Sequence, residues 1–191
     1  MLGAAFASTA AAATISIMPL GDSITAAANP GYRGYLYREL VNAGYSVDFV
    51  GTQSGTPTLP TGVTLDGDHE GHGGYSVGPG PSSLDPGAGG KGNLYVNIND
   101  WLSPTNTKTQ NCDIILLLIG VNDYANIIQQ NLDPTYDINN EFTQRLAGLL
   151  DKILSVRPHV CRQMLRRAST TNSPWCSISR RTSWRAAAIS Y

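Results

Sequence analysis

Charge is scarce in this sequence. Only 14% of its 191 residues are Asp, Glu, Lys or Arg, and the formal net charge is −1. Such a chain lacks the basic field of a nucleic-acid binder. Cysteine is equally thin: Cys112, Cys161 and Cys176 form no C-x-x-C pair and no zinc spacing. A long apolar run is missing as well. The stretch from Leu2 to Leu20 is diluted by Ser, Thr and Ala and is too weak for a membrane-spanning helix. No Lys or Arg precedes it, so the n-region of a secretory signal is absent, although Ala5-Phe6-Ala7 has the small-x-small form of a cleavage site. A cleaved leader over 1–13 and an uncleaved N-terminus both stand. The last absence is local. No acidic residue follows Asp151, so residues 1–156, with fourteen acids and six bases, carry −8. Residues 157–191, with seven Arg and no acid, carry +7.

What is present suits one domain with a sizeable core: 41% of the residues are hydrophobic. Gly and Pro crowd residues 51–92, which predicts long loops there. Thr14 to Leu20 is a β-branched apolar run stopping at Gly21, the pattern of a buried strand entering a turn. Gly34 to Ala43 reads as a helix with Leu36 and Leu40 on one face, closed by Gly44. Tyr45 to Val50 alternates as a second strand. Leu94, Ile98, Trp101 and Leu102 share a helical face. Asp113 to Ile119 is almost wholly apolar and ends at Gly120, as a central parallel strand should. Phe142, Leu146, Leu149, Leu150, Ile153 and Leu154 then mark an amphipathic helix ending near Val156. This alternation implies right-handed crossovers and a parallel sheet covered on both faces.

In such sheets functional residues gather at the carboxyl ends of strands. Gly21-Asp22-Ser23-Ile24-Thr25 and Gly120-Val121-Asn122-Asp123 occupy such ends. Ser23 is a candidate nucleophile, but Thr25 stands where a G-x-S-x-G elbow has its second Gly. A helix N-cap is the competing role for this Asp-Ser pair, and a turn the competing role for Asn122-Asp123. Asp66, Asp68, His69, Glu70 and His72 form a dense cluster without H-E-x-x-H spacing, which reads as loop-ordering rather than metal-binding. The run from Asp85 to Gly92 has neither the first Gly nor the final Ser/Thr of a phosphate loop. Tyr32, Tyr35 and Tyr37 suit the core face of a helix, whereas Tyr75, beside Gly74, suits substrate contact.

Five blocks stand in order along the chain: Met18-Pro19-Leu20-Gly21-Asp22-Ser23-Ile24-Thr25; Gly31-Tyr32-Arg33 with Leu36-Tyr37; Val47-Asp48-Phe49-Val50-Gly51; Asp68-His69-Glu70-Gly71-His72-Gly73-Gly74-Tyr75; and Ile119-Gly120-Val121-Asn122-Asp123. Together they resemble the GDSL or SGNH hydrolases, and within them carbohydrate esterase family 3, mostly acetyl xylan esterases. The resemblance runs from about Ile17 to Pro158. It implies a three-layer flavodoxin-like α/β fold and a cofactor-free serine acyl-enzyme. The implied oxyanion hole comprises the Ser23 backbone N–H, the Gly74 N–H and the Asn122 amide. Those roles suit the residues. An uncharged amide donates without adding charge, and an N–H that must approach substrate tolerates no Cβ.

The family's D-x-x-H block, which carries its acid and base, is not found after Asn122. The one D-x-x-H is Asp66-Gly67-Asp68-His69, which precedes Asn122, and His159 is the sole histidine beyond it. The loss coincides with the acid-free, Arg-rich composition near Val160. A frameshift, retained intron or gene-model error produces that pattern; a basic tail for nucleic acid or membrane is the competing reading. The expectation is therefore a hydrolase domain over 14–158, incomplete at its C-terminus, and an atypical tail over 159–191. The substrate is an acetylated polysaccharide or small ester. A secreted monomer is expected, with no nucleic-acid or membrane partner, no cofactor and no metal. The alternatives are a catalytically dead carbohydrate-binding homologue and a non-functional truncated product.

Overall fold

The computed structural model describes residues 13–27, 31–55, 65–78, 91–129 and 137–157. The expected leader, the run 85–90, His159 and the tail 159–191 fall outside them, apart from residues 13 and 91–92 at the margins.

The first strand, β1 (Ile15–Gly21), organises the sheet. It pairs in parallel with β2 (Val47–Phe49), β4 (Asp68–Gly71) and β5 (Ile114–Leu118). Ile17 lies between Phe49 and Ile114, and Leu20 between Glu70 and Leu117. β2 and β4 therefore succeed one another along one edge of β1, and β5 takes the other. A two-residue strand, β3 (Gln53–Ser54), adds antiparallel to β4. The result is a mixed α/β structure whose sheet is mostly parallel.

Alternation along the strands separates two apolar clusters. Ile15 and Ile17 of β1, Ile114 and Leu116 of β5, and Val47 and Phe49 meet Leu36, Tyr37 and Leu40 of α2 (Tyr32–Asn42). Met18 and Leu20, with Ile115 and Leu117, meet Leu94, Ile98 and Leu102 from α3 (Leu94–Trp101) and its C-cap, and Leu149 and Ile153 of α5 (Ile138–Val156). Helices thus cover both faces. A Schellman arrangement closes α2: Tyr45 N–H donates to Leu40 O and Gly44 N–H to Val41 O.

Several expectations are corrected. The span 51–92 is not loop throughout, since it holds β3 and β4. β4 escapes an apolar-pattern reading because its buried residues are His69, Glu70 and Gly71. The second strand is shorter than expected, and α2 begins two residues earlier. β5 pairs with β1 alone among the described residues, and Leu118 is 42% exposed, so the most apolar segment is not central there. Tyr35 is exposed rather than in the core face; Tyr37 packs edge-on against Phe49 at 5.4 Å. No helix among the described residues is long and apolar enough to cross a membrane.

Candidate active site

β1 delivers Gly21-Asp22-Ser23 to the sheet's carboxyl edge, where α1 (Ser23–Ala26) begins. The cap is Asp22: its Oδ1 accepts from Ile24 N–H at 2.9 Å. Ser23 is thereby the first helical residue and is exposed to solvent. The rest of Asp22 is buried, its Oδ2 has no hydrogen-bond partner, and burial pushes its carboxyl above the ordinary carboxylate range.

The turn after β4 folds against this edge. His72 N–H donates to Gly21 O at 2.9 Å, and Tyr75 N–H to His72 O at 3.2 Å. A β-carbon on Gly73 would stand 4.0 Å from Ser23 Cβ, so the turn borders the serine directly. Gly74 has φ +82°, a left-handed conformation that strains any residue with a Cβ. From the other side, α4 (Val121–Gln129) starts just past β5 and brings Asn122 in its first turn. Asn122 Nδ2 donates to Tyr75 O at 2.8 Å, one residue beyond Gly74. That contact commits one amide hydrogen and leaves the second for a ligand. Asp123 accepts from Val77 N–H at 3.0 and 3.2 Å, clamping the same loop to α4. The turn that holds Gly74 thus borders Ser23 at Gly73 and takes the Asn122 amide at Tyr75 O.

Polar residues whose structural roles the sequence did not disclose hold this surface in place. Glu70 is wholly buried; it accepts from Thr52 N–H and Oγ1 at 2.6 Å and bonds His72 Nε2 at 2.7 Å. The His72 ring stacks on Trp101 (4.2 Å) and Tyr75 (4.9 Å). Tyr75 is thus half-buried in an aromatic group rather than freely presented. Arg33 is fully buried and donates to the carbonyls of Thr25 (2.8 Å), Gly67 (3.1 Å) and Gly55 (3.2 Å), tying α1 to the approach to β4. His69 Nδ1 accepts from Gly71 N–H at 3.0 Å, and burial, with Arg33 adding, lowers its pKa to about 4. The acid/His cluster is engaged in this ordering: Asp66 accepts from Phe49 N–H at 2.7 Å and Asp68 N–H at 3.1 Å. Arg33, Glu70 and His72 stand within the family-like blocks, but nothing in their spacing announces these contacts.

Comparison with known proteins gives the class first. No family model matches the chain. A curated "Multidomain esterase" of Ruminococcus flavefaciens is 40% identical over 123 residues, 61% of this chain. The chain spans only 15% of that relative's length. These are esterases, and the solved structures narrow the class. A family 3 carbohydrate esterase of Clostridium thermocellum is 31% identical with a TM-score of 0.51, over 84% of this chain and 75% of that one. A carbohydrate esterase family 3 structure from Talaromyces cellulolyticus is 25% identical with a TM-score of 0.50, over 75% and 57%. An acetyl esterase mutant solved with an acetate ion is 28% identical with a TM-score of 0.51, over 76% and 58%. The chain belongs to carbohydrate esterase family 3, of the SGNH type.

Proposed function

We propose that this chain carries a serine esterase site of the SGNH type, directed at carboxylic and chiefly O-acetyl esters on polysaccharide such as xylan. The observation that carries the reading is the turn after β4, which borders exposed Ser23 at Gly73 and takes the Asn122 amide at Tyr75 O. Ser23 Oγ attacks the acyl carbon. The oxyanion that forms takes hydrogen bonds from the Ser23 N–H, the Gly74 N–H and the free hydrogen of Asn122 Nδ2. Collapse expels the sugar hydroxyl and leaves acetyl-Ser23, which water hydrolyses to acetate. The helix–sheet–helix layering fits a three-layer flavodoxin-like domain over 14–158. The low charge content and the near-zero net charge are in keeping with a secreted enzyme acting on an ester or carbohydrate rather than on nucleic acid.

A serine hydroxyl at neutral pH needs a base. Both described histidines have other hydrogen bonds: His69 with Gly71, and His72 with Glu70. We therefore expect the chain as written to turn over slowly, retaining roughly 10³–10⁴-fold catalysis over water from the oxyanion donors and binding. The same engagement of the histidines favours a second reading, a homologue that binds carbohydrate without hydrolysing it. The test is p-nitrophenyl acetate and acetylated xylan hydrolysis by the chain and by Ser23→Ala. Turnover abolished in the variant supports the esterase; turnover equal in both removes Ser23 from the reaction.

A further inference from the structure

The cations of the described residues are nearly all committed. Arg33 is spent on backbone carbonyls, Arg38 on Glu39, Arg145 on Glu141, Lys152 on the Tyr95 carbonyl and Arg157 on the carbonyls of Gln110 and Thr109. Among the described residues this leaves the ammonium groups of Lys91 and Lys108, both residues exposed; the Lys108 backbone N–H donates to Asn106 Oδ1 at 3.1 Å. Lys108 lies in the turn before β5. Lys91 lies on the candidate active site.

Its place there is built, not incidental. Ser76 N–H donates to Gly92 O at 3.2 Å and Leu94 N–H to Ser76 O at 3.0 Å, so the segment 91–94 runs beside the segment 74–76 as a short parallel bridge. Beside it, the Tyr75 ring lies against Gly92: a β-carbon there would meet Tyr75 Cζ at 3.1 Å. The Lys91 stem crosses Gly74, with Cδ 2.7 Å, Cγ 3.3 Å and Cβ 3.4 Å from the place a β-carbon would take. Two bonds, about 2.5 Å, separate Cδ from the ammonium, which is therefore confined to the rim of the oxyanion turn. The carboxylates beside Ser23, Gly74 and Asn122 in sequence, Asp22, Glu70 and Asp123, are buried. Glu70 and Asp123 are bonded to their own neighbours.

We propose that Lys91 is a specificity-determining residue, which recognises a carboxylate borne by an acidic, uronic-acid-type oligosaccharide whose ester enters the Ser23 site. This rests on the esterase reading for the location of the site, but not for its evidence, which is a binding preference. A flexible ammonium on an apolar stem suits such recognition, because the methylenes lie along Gly74 while the charge stays in water. The −8 carried by residues 1–156 gives the domain no general attraction for an anion, and at physiological salt charges beyond about 8 Å are screened, so the preference is local. Lys91 is then the charge that such a carboxylate meets.

The experiment titrates the whole chain by calorimetry with an acetylated oligosaccharide bearing one uronic acid, and with the same compound methyl-esterified at that carboxyl. The acidic form should bind about two- to fivefold more tightly, the range of one solvent-exposed ion pair. Lys91→Met, which keeps the stem on Gly74, should bring the ratio to about one, and Lys91→Glu should invert it. A ratio unchanged in Lys91→Met, a preference for the neutral form, or binding of neither compound overturns the proposal. Circular dichroism checks that both variants retain the fold. Hydrolysis of p-nitrophenyl acetate reports separately on Ser23. A Lys91-dependent ratio without turnover keeps this inference and removes the catalytic one; Ser23-dependent turnover without the ratio does the reverse.

Discussion

Asn122 and Asp123 are neighbours with different roles, and mutation should separate them. Asn122→Ala removes one oxyanion donor; it should lower kcat about 10²–10³-fold with KM little changed, in steady-state hydrolysis of an acetyl ester. A fall in binding with kcat intact would return Asn122 to a turn role. Asp123→Ala instead unclamps the loop at Val77 and should appear first in the melting temperature. His69 gives a pH signature. Its imidazole accepts from Gly71 N–H and titrates near 4 when folded, against about 6.5 when unfolded. The unfolded chain therefore binds this proton first as pH falls. Its contribution to stability is complete above about 6.5 and is lost between there and about 4. Urea midpoints measured across that window should fall less steeply for His69→Asn than for the unmodified chain. Parallel slopes would show that His69 is not the group responsible.

At the scale of elements, the apolar signals were the legible ones. β1, β5, α3 and α5 stand close to where periodicity places them, because each buries a face of Ile, Leu or Met in one of two clusters. β4 was not legible. It is polar on its buried positions, and its stability comes from hydrogen bonds to Thr52 and Gly71 that depend on segments distant in sequence or on backbone geometry. The candidate site was legible through its blocks, which fixed residue types and order; the support from Glu70, His72, Trp101 and Arg33 was not, since it exists only once β4, α2 and α3 are assembled. α1 and β4 meet at Gly71, where a β-carbon would collide with the backbone of Thr25 and Ala26, 2.7 Å from Thr25 C. Gly71→Ala should thus cost about 1–3 kcal/mol in chemical denaturation, as overpacking does, and shift α1 with its Ser23. A variant as stable as the parent would mean that α1 gives way freely.

For the whole molecule, the outer side of β5 is the vulnerable feature. Among the described residues it has no strand partner, and Leu118 and Val121 are 42% and 49% exposed. An apolar edge of this kind templates pairing between chains. The purified chain should associate with rising concentration in light scattering, and Leu118→Lys should suppress this without changing the circular dichroism. Association equal in both would place the sticky surface elsewhere.

The placement of β1 between β2 and β5 also bears on how the chain reaches this fold. Ile17 waits for Ile114, and Leu20 for Leu117, partners that follow after most of the chain has been made. At about 5–20 residues per second of synthesis, roughly 5–20 s separate the first strand from the partner of its other edge. Closing so long a loop adds little to the equilibrium cost but slows the search, as non-local pairing does generally. Birth, rather than heat, is then the moment at which this sequence is most exposed to capture by chaperones or proteases.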